Sequence, residues 1–425
     1  SITAYELQKN NREVLLIESG GYFTIPKTKH PFEEFLNKWK FSALSSSIGQ
    51  IIQYSSGNCF GGGSEINSGL YHKPSYTFIK QINKNISKSE FSTVLKKKKK
   101  NVQNTKSIKM NKYQQNLRNL YTNGALKLGW KIENVPKLYK NSIKSSMTNT
   151  ILKKYLNNNG NTMLNCEALK IYNYGDGYKV EIVHNGVFKI IECKNIFVNC
   201  GAPYSQNLLK KSNFKKNINN NFHFHPMIKV IGKFKKEVNS KISQDVIPHQ
   251  ITEFIPNFII GNAASGEPFI KISLFEKIYK GYSFKNCSIF HATMSLGKSR
   301  IVKFPFIKDD VIQYKFSDND KKIIKTALEK LIKFVKSCGA INIYIVDNHN
   351  KLQSFDKNFD INNYNVNNLK YSSVHLLGGI NLTNFGKIGS ENIFVNDSSL
   401  INKHLLKNPQ GTTMFIANYN IDKII

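Results

Sequence analysis

The sequence predicts an α/β protein, α+β overall, with a parallel sheet in one domain and an antiparallel sheet with helices in a second domain. Two apolar strands, at 14–17 and 195–198, each run into a glycine turn, as strands of a doubly wound parallel sheet do. Residues 216–370 instead alternate apolar and polar side chains and then contain a long amphipathic helix. A chain of 425 residues is long enough for two domains with sizeable cores.

The formal charge of +33 comes almost entirely from lysine, because Arg12, Arg118 and Arg300 are the only arginines. Recognition of phosphates and bases favours the planar side chain of arginine. The lysines accompany an excess of asparagine, which indicates a compositional bias of the coding sequence. We therefore expect a solvated basic surface and no nucleic-acid partner. A non-catalytic polyanion-binding protein is the alternative.

No apolar run approaches the ~18–20 residues of a membrane span, and no segment has the pattern of a signal peptide. The six cysteines form no CxxC pair, and a chain of this length does not need a disulfide framework. The sequence therefore predicts a cytoplasmic protein without a membrane span.

The start of the chain is typical of the second half of a dinucleotide-binding βαβ unit. A helix over 1–10 leads into the strand 14–17, which ends in the carboxylate of Glu18 and the pair Gly20-Gly21. In such units the acid binds ribose hydroxyls, and a GxGxxG turn before the helix holds the pyrophosphate. That turn would precede residue 1, so we expect an N-terminally incomplete copy that binds its dinucleotide weakly or not at all. Alternatively, Glu18 is a surface acid at a strand end.

A second glycine-rich segment lies at 55–72, where five glycines stand among small polar residues. Such backbone exposes N–H groups to an anion or a flat ring, and the Asn67 amide could bond the edge of a heterocycle. The order GxxxxGK[ST] is absent, which argues against a P-loop. The alternative is an ordinary glycine-rich loop.

The middle of the chain predicts a hairpin and a long helix. Strands 178–183 and 188–191 flank the turn Asn185-Gly186, and the helix 318–337 has apolar residues at helical spacing on one face. Other predicted strands are 165–171, 228–234, 258–260 and 270–274. The segment 75–150 is expected to be helix and irregular connection, with its lysine run at 96–100 in a solvated loop.

Two sets of side chains could carry chemistry. His223 and His225, two residues apart on a strand, could form a metal pair, but no Cys, Asp or Glu cluster stands nearby, so we expect structural histidines. The other set is His375 and Asn408, and Asn408 opens the turn NPQGTT before an apolar helix at 413–425. Taken alone, His375 would be an ordinary loop histidine.

Several blocks of the sequence together resemble the glucose–methanol–choline (GMC) oxidoreductases, a family of FAD-dependent alcohol oxidases and dehydrogenases. The blocks are VLLIESGG at 14–21, GNCFGGGSEINSGLYHKP at 57–74, VHLLGG at 374–379 and ENIFVNDSSLINKHLLKNPQGTTMFIANYNIDKII at 391–425. They occur in the order of the family and near the expected ends of the chain. The resemblance covers the chain in outline, and its middle third matches only loosely.

The resemblance implies a Rossmann-like FAD-binding domain formed by 1–74, 160–215 and 371–425. Residues 75–159 would then be connecting helices and loops, and residues 216–370 the substrate-binding domain. The residues that the family would use to bind FAD are Glu18, Asn58, Gly61, Gly62, Gly63, Ser64, Asn67, Ala168, Gly201, Asp397, Ser398, Gln410 and Thr412. Ile66 stands where some members carry a histidine bound covalently to the flavin, so the resemblance implies non-covalent FAD.

By the same resemblance, His375 is the catalytic base and Asn408 its partner in oxidation of a small-molecule alcohol. A sugar-like alcohol is one candidate for the substrate, and oxygen or another compound is the electron acceptor. The imidazole of His375 has an ordinary pKa suited to taking a hydroxyl proton near neutral pH. Leu376 and Asn402 replace prolines that are usual in the family, a change in loop rigidity rather than in chemical groups. A decayed flavoprotein fragment is a further alternative.

Overall fold

The computed structural model describes residues 1–23, 32–98, 104–105, 108–140, 143–239, 246–263, 265, 270, 283–304, 311–349, 352–355, 361, 363–389 and 391–425. Within this part of the chain the α-helices are α1 (Ile2–Lys9), α2 (Phe32–Lys38), α3 (Gly63–Ile66), α4 (Tyr76–Ile82), α5 (Lys88–Lys98), α6 (Lys112–Leu128), α7 (Lys153–Asn157), α8 (Tyr204–Lys211), α9 (Asp318–Ser337) and α10 (Gln410–Ile424). Residues 99–100 of the lysine run and 271–274 of one predicted strand lie outside the described residues.

The strands in the first half of the chain are short except for one hairpin and its neighbour. They are β1 (Leu15–Ile17), β2 (Ser45–Ser46), β3 (Ile48–Gly49), β4 (Ile52–Tyr54), β5 (Ile132–Asn134), β6 (Tyr139–Lys140), β7 (Ile143–Lys144), β8 (Asn161–Met163), β9 (Cys166–Tyr174), β10 (Gly177–His184), β11 (Val187–Cys193) and β12 (Ile196–Val198).

The strands of the second half are longer and mostly antiparallel. They are β13 (Ile218–Phe224), β14 (Met227–Lys233), β15 (His249–Ile251), β16 (Phe258–Asn262), β17 (Cys287–Met294), β18 (Lys298–Val302), β19 (Val311–Lys315), β20 (Asn342–Val346), β21 (Leu352–Ser354), β22 (Tyr371–Ser373), β23 (Leu376–Ile380) and β24 (Ile393–Val395).

The two apolar strands predicted to be parallel are confirmed. β1 pairs with β8 in parallel, and β12 pairs with β24 in parallel. Glu18 follows β1 and Gly201 lies three residues beyond β12, so both glycine turns lie at the carboxyl ends of parallel strands. That edge is where open α/β sheets bind their ligands.

The predicted hairpin is also confirmed, because β10 pairs with β11 across the turn at Asn185 and Gly186. Both turn residues have positive φ, 50° and 82°, the geometry for which Asn-Gly is the favoured sequence. β9 pairs with the other edge of β10, which extends the hairpin into an antiparallel sheet.

A large antiparallel sheet is centred on β14 and β17 and runs in the order β2, β4, β22, β14, β17, β16, β15, β5. Alternate residues of its central strands, such as Ile228 and Phe290, form a core with α9 and α6. α9 begins at a capping box between Ser317 and Asp320, and its buried face includes Leu331. Each such fully buried apolar side chain contributes about 1.5–3 kcal/mol.

The sheet crosses the predicted domain boundaries, because β4 and β22 come from segments assigned by sequence to the FAD-binding domain. The division into 1–74, 160–215 and 371–425 against 216–370 therefore remains a proposal. A second sheet runs in the order β23, β13, β18, β19, β3. Within the described residues, no helix combines the length and apolar character needed to cross a bilayer.

Candidate active site

A cavity of about 2130 Å³ lies between the glycine turns and the large sheet. Pockets that hold one drug-sized molecule usually measure about 300–1,000 Å³. Its lining includes Glu18, residues 55–58 and 60–64, Asn67, Ala168 and Gly201 on one side, and residues of β14, β16 and β17 on the other. The cavity therefore has room for a long cofactor and a substrate together.

Close backbone contact explains several glycines on the first side of the cavity. A Cβ on Gly20 would lie 2.0 Å from the carbonyl oxygen of Asn58, and one on Gly57 would lie 2.6 Å from the carbonyl carbon of Gly62. Gly21 forms a parallel bridge with Cys59. The turn after β1 and the glycine loop therefore interlock at distances that exclude a side chain.

Other glycines leave backbone open to the cavity. A Cβ on Gly62, Gly63 or Gly201 would have no atom within 4 Å, although all three residues line the cavity. Gly62 and Gly201 have φ of 56° and 79°, which L side chains rarely adopt. Gly61 also has positive φ, at 95°. This bare surface can accept a flat ring or an anionic group at close range.

Glu18 and Asn58 are linked through the turn between them. The Gly20 amide donates to Glu18 Oε1 at 2.9 Å, and the Ser19 hydroxyl donates to Asn58 Oδ1 at 2.7 Å. Burial raises the pKa of the Glu18 carboxyl, and the Gly20 amide opposes that shift. The carboxylate is thus fixed at the cavity wall beside the end of β1.

Asn67 connects the glycine loop to the start of α10. Its Nδ2 donates to Gln410 Oε1 at 2.7 Å, and its Oδ1 accepts from the Gly69 amide at 2.9 Å. Both residues line the cavity. A Cβ on Gly411 would lie 2.0 Å from the carbonyl oxygen of His72, so α10 begins directly against the loop. Two predicted cofactor residues 343 positions apart are therefore in contact.

Asp397 and Ser398 join β24 to the turn after β12. Asp397 Oδ2 accepts from the Gly201 amide at 2.8 Å and from the Ser205 hydroxyl at 2.5 Å. Asp397 Oδ1 accepts from the Ser399 amide at 2.7 Å, and Ser398 Oγ lies 3.5 Å from the Ala202 amide. Asp397 and Ser398 also line the cavity. The Asp397 carboxylate therefore fixes the turn after β12 and at the same time faces the cavity.

The other predicted cofactor residues differ in position. Ser64 lines the cavity, but its hydroxyl donates to the Gly61 carbonyl at 2.8 Å and accepts from the Met147 amide at 2.9 Å. Thr412 is buried and does not line the cavity, whereas the next residue, Thr413, does. Sequence reasoning therefore selected a neighbour of the residue that lines the cavity.

His375 and Asn408 meet at the cavity wall. Asn408 Nδ2 lies 3.5 Å from His375 Nε2, and His375 Nδ1 lies 2.9 Å from His225 Nδ1. Burial, together with a smaller effect of His72, lowers the pKa of His375 to about 4. His375 is therefore neutral at pH 7, with one ring nitrogen bonded to a second histidine and the other near an amide.

The two histidines of the HxH motif have different partners. His223 Nε2 lies 3.1 Å from the Asn402 carbonyl oxygen, and its ring centroid lies 4.4 Å from that of His404. His225 is completely buried and contacts His375 edge to face. Among the described residues there is no group of metal-ligating side chains. The expectation that His225 is purely structural missed its contact with His375, because 150 positions separate the two histidines.

The large sheet presents a second set of polar side chains to the cavity. Lys229 of β14 and His291 of β17 lie opposite each other in the ladder, and Met227 lies opposite Thr293. All four line the cavity, because alternate residues of a strand share a face. His291 Nδ1 lies 2.9 Å from Thr293 Oγ1. The sequence predicted a strand over 228–234 but none over 287–294, so it gave no pairing that would bring Lys229 and His291 together.

Comparisons with known proteins identify relatives of this arrangement. The family profile described as GMC oxidoreductase matches residues 16–227, about half of the chain. An uncharacterized GMC-type oxidoreductase of Sinorhizobium fredii (strain NBRC 101917 / NGR234) is 23% identical over 452 residues. That similarity covers 95% of this chain and 88% of the relative.

Two solved structures share the fold. Pyridoxine 4-oxidase from Mesorbium loti has a TM-score of 0.71 at 12% identity, over 99% of this chain and 96% of that one. A variant of formate oxidase from Aspergillus oryzae RIB40 has a TM-score of 0.73 at 10% identity, over 100% of this chain and 95% of that one. At such low identity these likenesses establish the fold alone. Together with the family profile, they show that this chain belongs to the GMC oxidoreductase family.

Proposed function

We propose that this GMC-type oxidoreductase oxidises the CH–OH group of a small-molecule alcohol, with non-covalent FAD as cofactor and oxygen or another compound as electron acceptor. Family membership supports flavin-dependent oxidation of a substrate. The observation that carries the finer proposal is the convergence of His375 Nε2 and Asn408 Nδ2, 3.5 Å apart, on the wall of the large cavity.

The residues on the first side of the cavity fit an FAD molecule. Bare backbone at Gly62, Gly63 and Gly201 leaves space that a side chain would fill, and the Glu18 carboxylate stands at the end of a parallel strand where ribose hydroxyls are bound. The residues that would hold FAD are Glu18, Asn58, Gly61, Gly62, Gly63, Ser64, Asn67, Ala168, Gly201, Asp397, Ser398 and Gln410. Thr412 is buried away from the cavity lining, so Thr413 is the better candidate at that position.

Oxidation of an alcohol removes a hydride from carbon and a proton from oxygen. Bound FAD supplies the acceptor for the hydride. The proton passes to Nε2 of His375, a residue of the cavity wall, and the carbon–oxygen bond becomes a carbonyl. A positioned base of this kind contributes about 10²–10⁴ in rate. Asn408 Nδ2 can donate a hydrogen bond to the substrate oxygen as its charge develops.

The contact between His375 and His225 is compatible with Nε2 of His375 as the base. Two facing Nδ1 atoms at 2.9 Å require one donor and one acceptor. If Nε2 of His375 is to accept a proton, its Nδ1 carries the hydrogen and donates to His225 Nδ1. His225 therefore orients the ring and stabilises the imidazolium that forms.

The low pKa of His375 is consistent with this role. Burial holds the ring neutral, with its pKa at about 4, so the base is unprotonated throughout the physiological range. A low pKa also weakens the base, and Asn408 compensates by stabilising the alkoxide-like oxygen. The proton acceptor and the hydrogen-bond donor act on the same substrate atom.

Non-covalent attachment is proposed because Ile66, which offers no nucleophilic atom, precedes Asn67. Denaturing the flavin-loaded protein with acid and removing the precipitate should leave the flavin in the supernatant. Flavin that stays with the precipitated chain would exclude this part of the proposal.

The test of the function is anaerobic titration of the flavin-loaded, full-length protein with a panel of primary and secondary alcohols. We expect loss of the visible flavin band and formation of one equivalent of aldehyde or ketone for each flavin reduced. A full-length protein that cannot be loaded with FAD, or whose bound flavin no alcohol reduces, would contradict the proposal.

A further inference from the structure

The side of the cavity opposite the glycine turns contains a cluster of basic groups. Lys229 and His291 are direct neighbours on β14 and β17, and both line the cavity. On the other side of β14, Met227 pairs with Ser372 of β22, and Lys370 immediately precedes β22. Lys229 and His291 thus share one row of the sheet, and Lys370 lies next to a third strand beside β14.

The two lysines repel each other. Like charges close together on neighbouring strands destabilise a sheet. Lys370 lowers the pKa of Lys229, and Lys229 lowers the pKa of His291, in each case after the larger effect of burial. Within the part of the chain that the structure describes, Lys229 has neither a hydrogen bond nor an ion pair from its ammonium group.

The carboxylate in the row of Lys229 and His291 is too far away to neutralise Lys229. The carboxylate in the same row is that of Glu133, which is opposite Gln250, and it lies 3.5 Å from Lys407 Nζ. From β5 to β14 there are four strand spacings, or about 19 Å at ~4.8 Å each. At this separation the attraction between exposed charges is largely screened.

The cluster lies in the same chamber as the proposed catalytic pair. His375, His291 and Lys229 all line this cavity, and both His375 and Lys229 lower the pKa of His291. His291 Nδ1 is held at 2.9 Å from Thr293 Oγ1, and its pKa of about 3 keeps the ring neutral. A ligand that extends from His375 along this wall would reach the ammonium group of Lys229.

We propose that Lys229 is the anchor of an anionic subsite, which binds a carboxylate on the alcohol that His375 deprotonates. The proposal rests on the proposed function and adds the class of its substrate, a hydroxy acid. A carboxylate bound here would give Lys229 a charge-assisted hydrogen bond and would relieve its repulsion with Lys370. His291, as a neutral ring, can donate or accept a further hydrogen bond beside it.

The protonation state of the site suits an anion at neutral pH. The pKa of Lys229 is about 8, so at pH 7 most molecules carry the charge. His291 faces Lys229 from β17 and is neutral at that pH, and Lys370, which precedes β22, lowers the pKa of Lys229. Affinity of the free protein for a carboxylate should therefore fall as the pH rises through about 8.

The experiment uses the flavin-loaded, full-length protein and two matched pairs of probes. 4-(Hydroxymethyl)benzoate and its methyl ester report on turnover, and 4-methylbenzoate and 4-methylbenzamide report on binding by calorimetry without any reaction. Lys229→Met removes the charge, Lys229→Arg keeps it, and Lys235→Met removes a charge from an exposed position beyond β14 as a control.

We expect the wild type to prefer each acid to its neutral partner. Lys229→Met should weaken binding of 4-methylbenzoate and raise KM for the hydroxy acid roughly 10- to 100-fold, with kcat and the ester little changed. Lys229→Arg should restore most of the loss, and Lys235→Met should have no effect.

Equal use of acid and ester by the wild type would overturn the inference while leaving alcohol oxidation intact. So would unchanged binding of 4-methylbenzoate in Lys229→Met, or a loss found in Lys370→Met but not in Lys229→Met. Failure of every alcohol to reduce the flavin, with 4-methylbenzoate still bound through Lys229, would instead refute the proposed reaction and retain the anion site.

Discussion

The two walls of the cavity differ in the atoms that they present: one presents main-chain atoms and the other presents side chains. The backbone wall, formed by the glycine turns at 20–21, 57–63 and 201 and by the start of α10, presents main-chain atoms. The side-chain wall, formed by β14, β16 and β17, presents side chains that project from a sheet whose other face is the protein core. His375 and Asn408 lie where the two walls meet.

The two walls therefore differ in how well they tolerate substitution. On the backbone wall, added side chains would collide with main-chain atoms at about 2 Å, as at Gly20 and Gly411. On the side-chain wall, Lys229 or His291 can be exchanged without moving a strand, because neither packs into the core. The first wall suits an invariant cofactor, and the second suits a substrate that differs between enzymes.

The largest effect is expected from a methyl group on the backbone wall. In Gly20→Ala the Cβ would lie 2.0 Å from the Asn58 carbonyl oxygen, so two turns must separate. We expect a loss of about 3 kcal/mol or more in free energy of unfolding, measured by urea denaturation.

Gly63→Ala is the matched control for that prediction. Its Cβ meets no atom within 4 Å, and φ is not in the left-handed region, so the fold should be unaffected. The same methyl group projects into the cavity, and flavin should dissociate more readily from this variant. If Gly63→Ala retained flavin as the wild type does, the backbone wall would not be the flavin surface.

A smaller effect is expected where the walls meet. His225→Phe keeps a ring in place but removes the acceptor for His375 Nδ1, which leaves a buried donor unpaired at a cost of about 1–3 kcal/mol. We expect flavin reduction by alcohol to slow roughly 10- to 100-fold. The acid limb of the pH–rate profile should also move to lower pH, because the imidazolium form of His375 is less stable without His225.

His223→Phe is the control for this variant, because His223 bonds Asn402 and not His375. It should leave both the rate and the acid limb unchanged. Equal loss in His223→Phe and His225→Phe, or a change in thermal stability alone, would reduce His225 to a packing residue.

A third prediction concerns the loss of stability in acid, which we attribute to two half-buried histidines of the cavity, His375 and His291. Burial lowers the pKa of His375 to about 4 and of His291 to about 3, below the ~6.5 of an unfolded chain. The contribution of these two rings to the free energy of unfolding is complete above pH 6.5. It is lost as the pH falls towards 4, because the unfolded chain binds protons on these rings before the folded protein does. The slope is at most about 1.4 kcal/mol per pH unit for each, and less because both rings are half-buried.

Urea denaturation at pH 7 and pH 5 measures this slope, and His291→Gln should make it shallower. In parallel, flavin reduction by a neutral alcohol should stay constant from pH 8 to about pH 5, because His375 remains unprotonated with its pKa at about 4. A rate that falls near pH 6.5 would mean that the base titrates as an ordinary imidazole.

The backbone wall was largely predictable from the sequence. Its close main-chain contacts require glycine, and clusters of glycine can be recognised in the sequence. The clusters at 20–21 and 57–63 indicated main-chain surfaces before any contact was known, and β1, the strand before the first cluster, has the predicted parallel pairing. Helix 318–337 and the turn at Asn185-Gly186 were predictable because their signals are local.

The side-chain wall was not predictable, because the set of side chains that it brings together depends on which strands are neighbours. Lys229 and His291 are 62 positions apart, and only the pairing of β14 with β17 makes them adjacent. The same holds for His225 and His375, whose contact joins segments 150 positions apart. Alternation predicted β14 but not β17, and the register between them determines which polar residues share the cavity.

The central claim is that His375 is the base at the junction of a cofactor wall and a substrate wall. Its most direct test is single-turnover, anaerobic reduction of the flavin by an alcohol in the wild type, in His375→Ala and in the control His404→Ala. We expect His375→Ala to retain flavin and to be reduced 10²–10⁴-fold more slowly, with His404→Ala unaffected. Reduction of the flavin in His375→Ala at the wild-type rate would contradict the account.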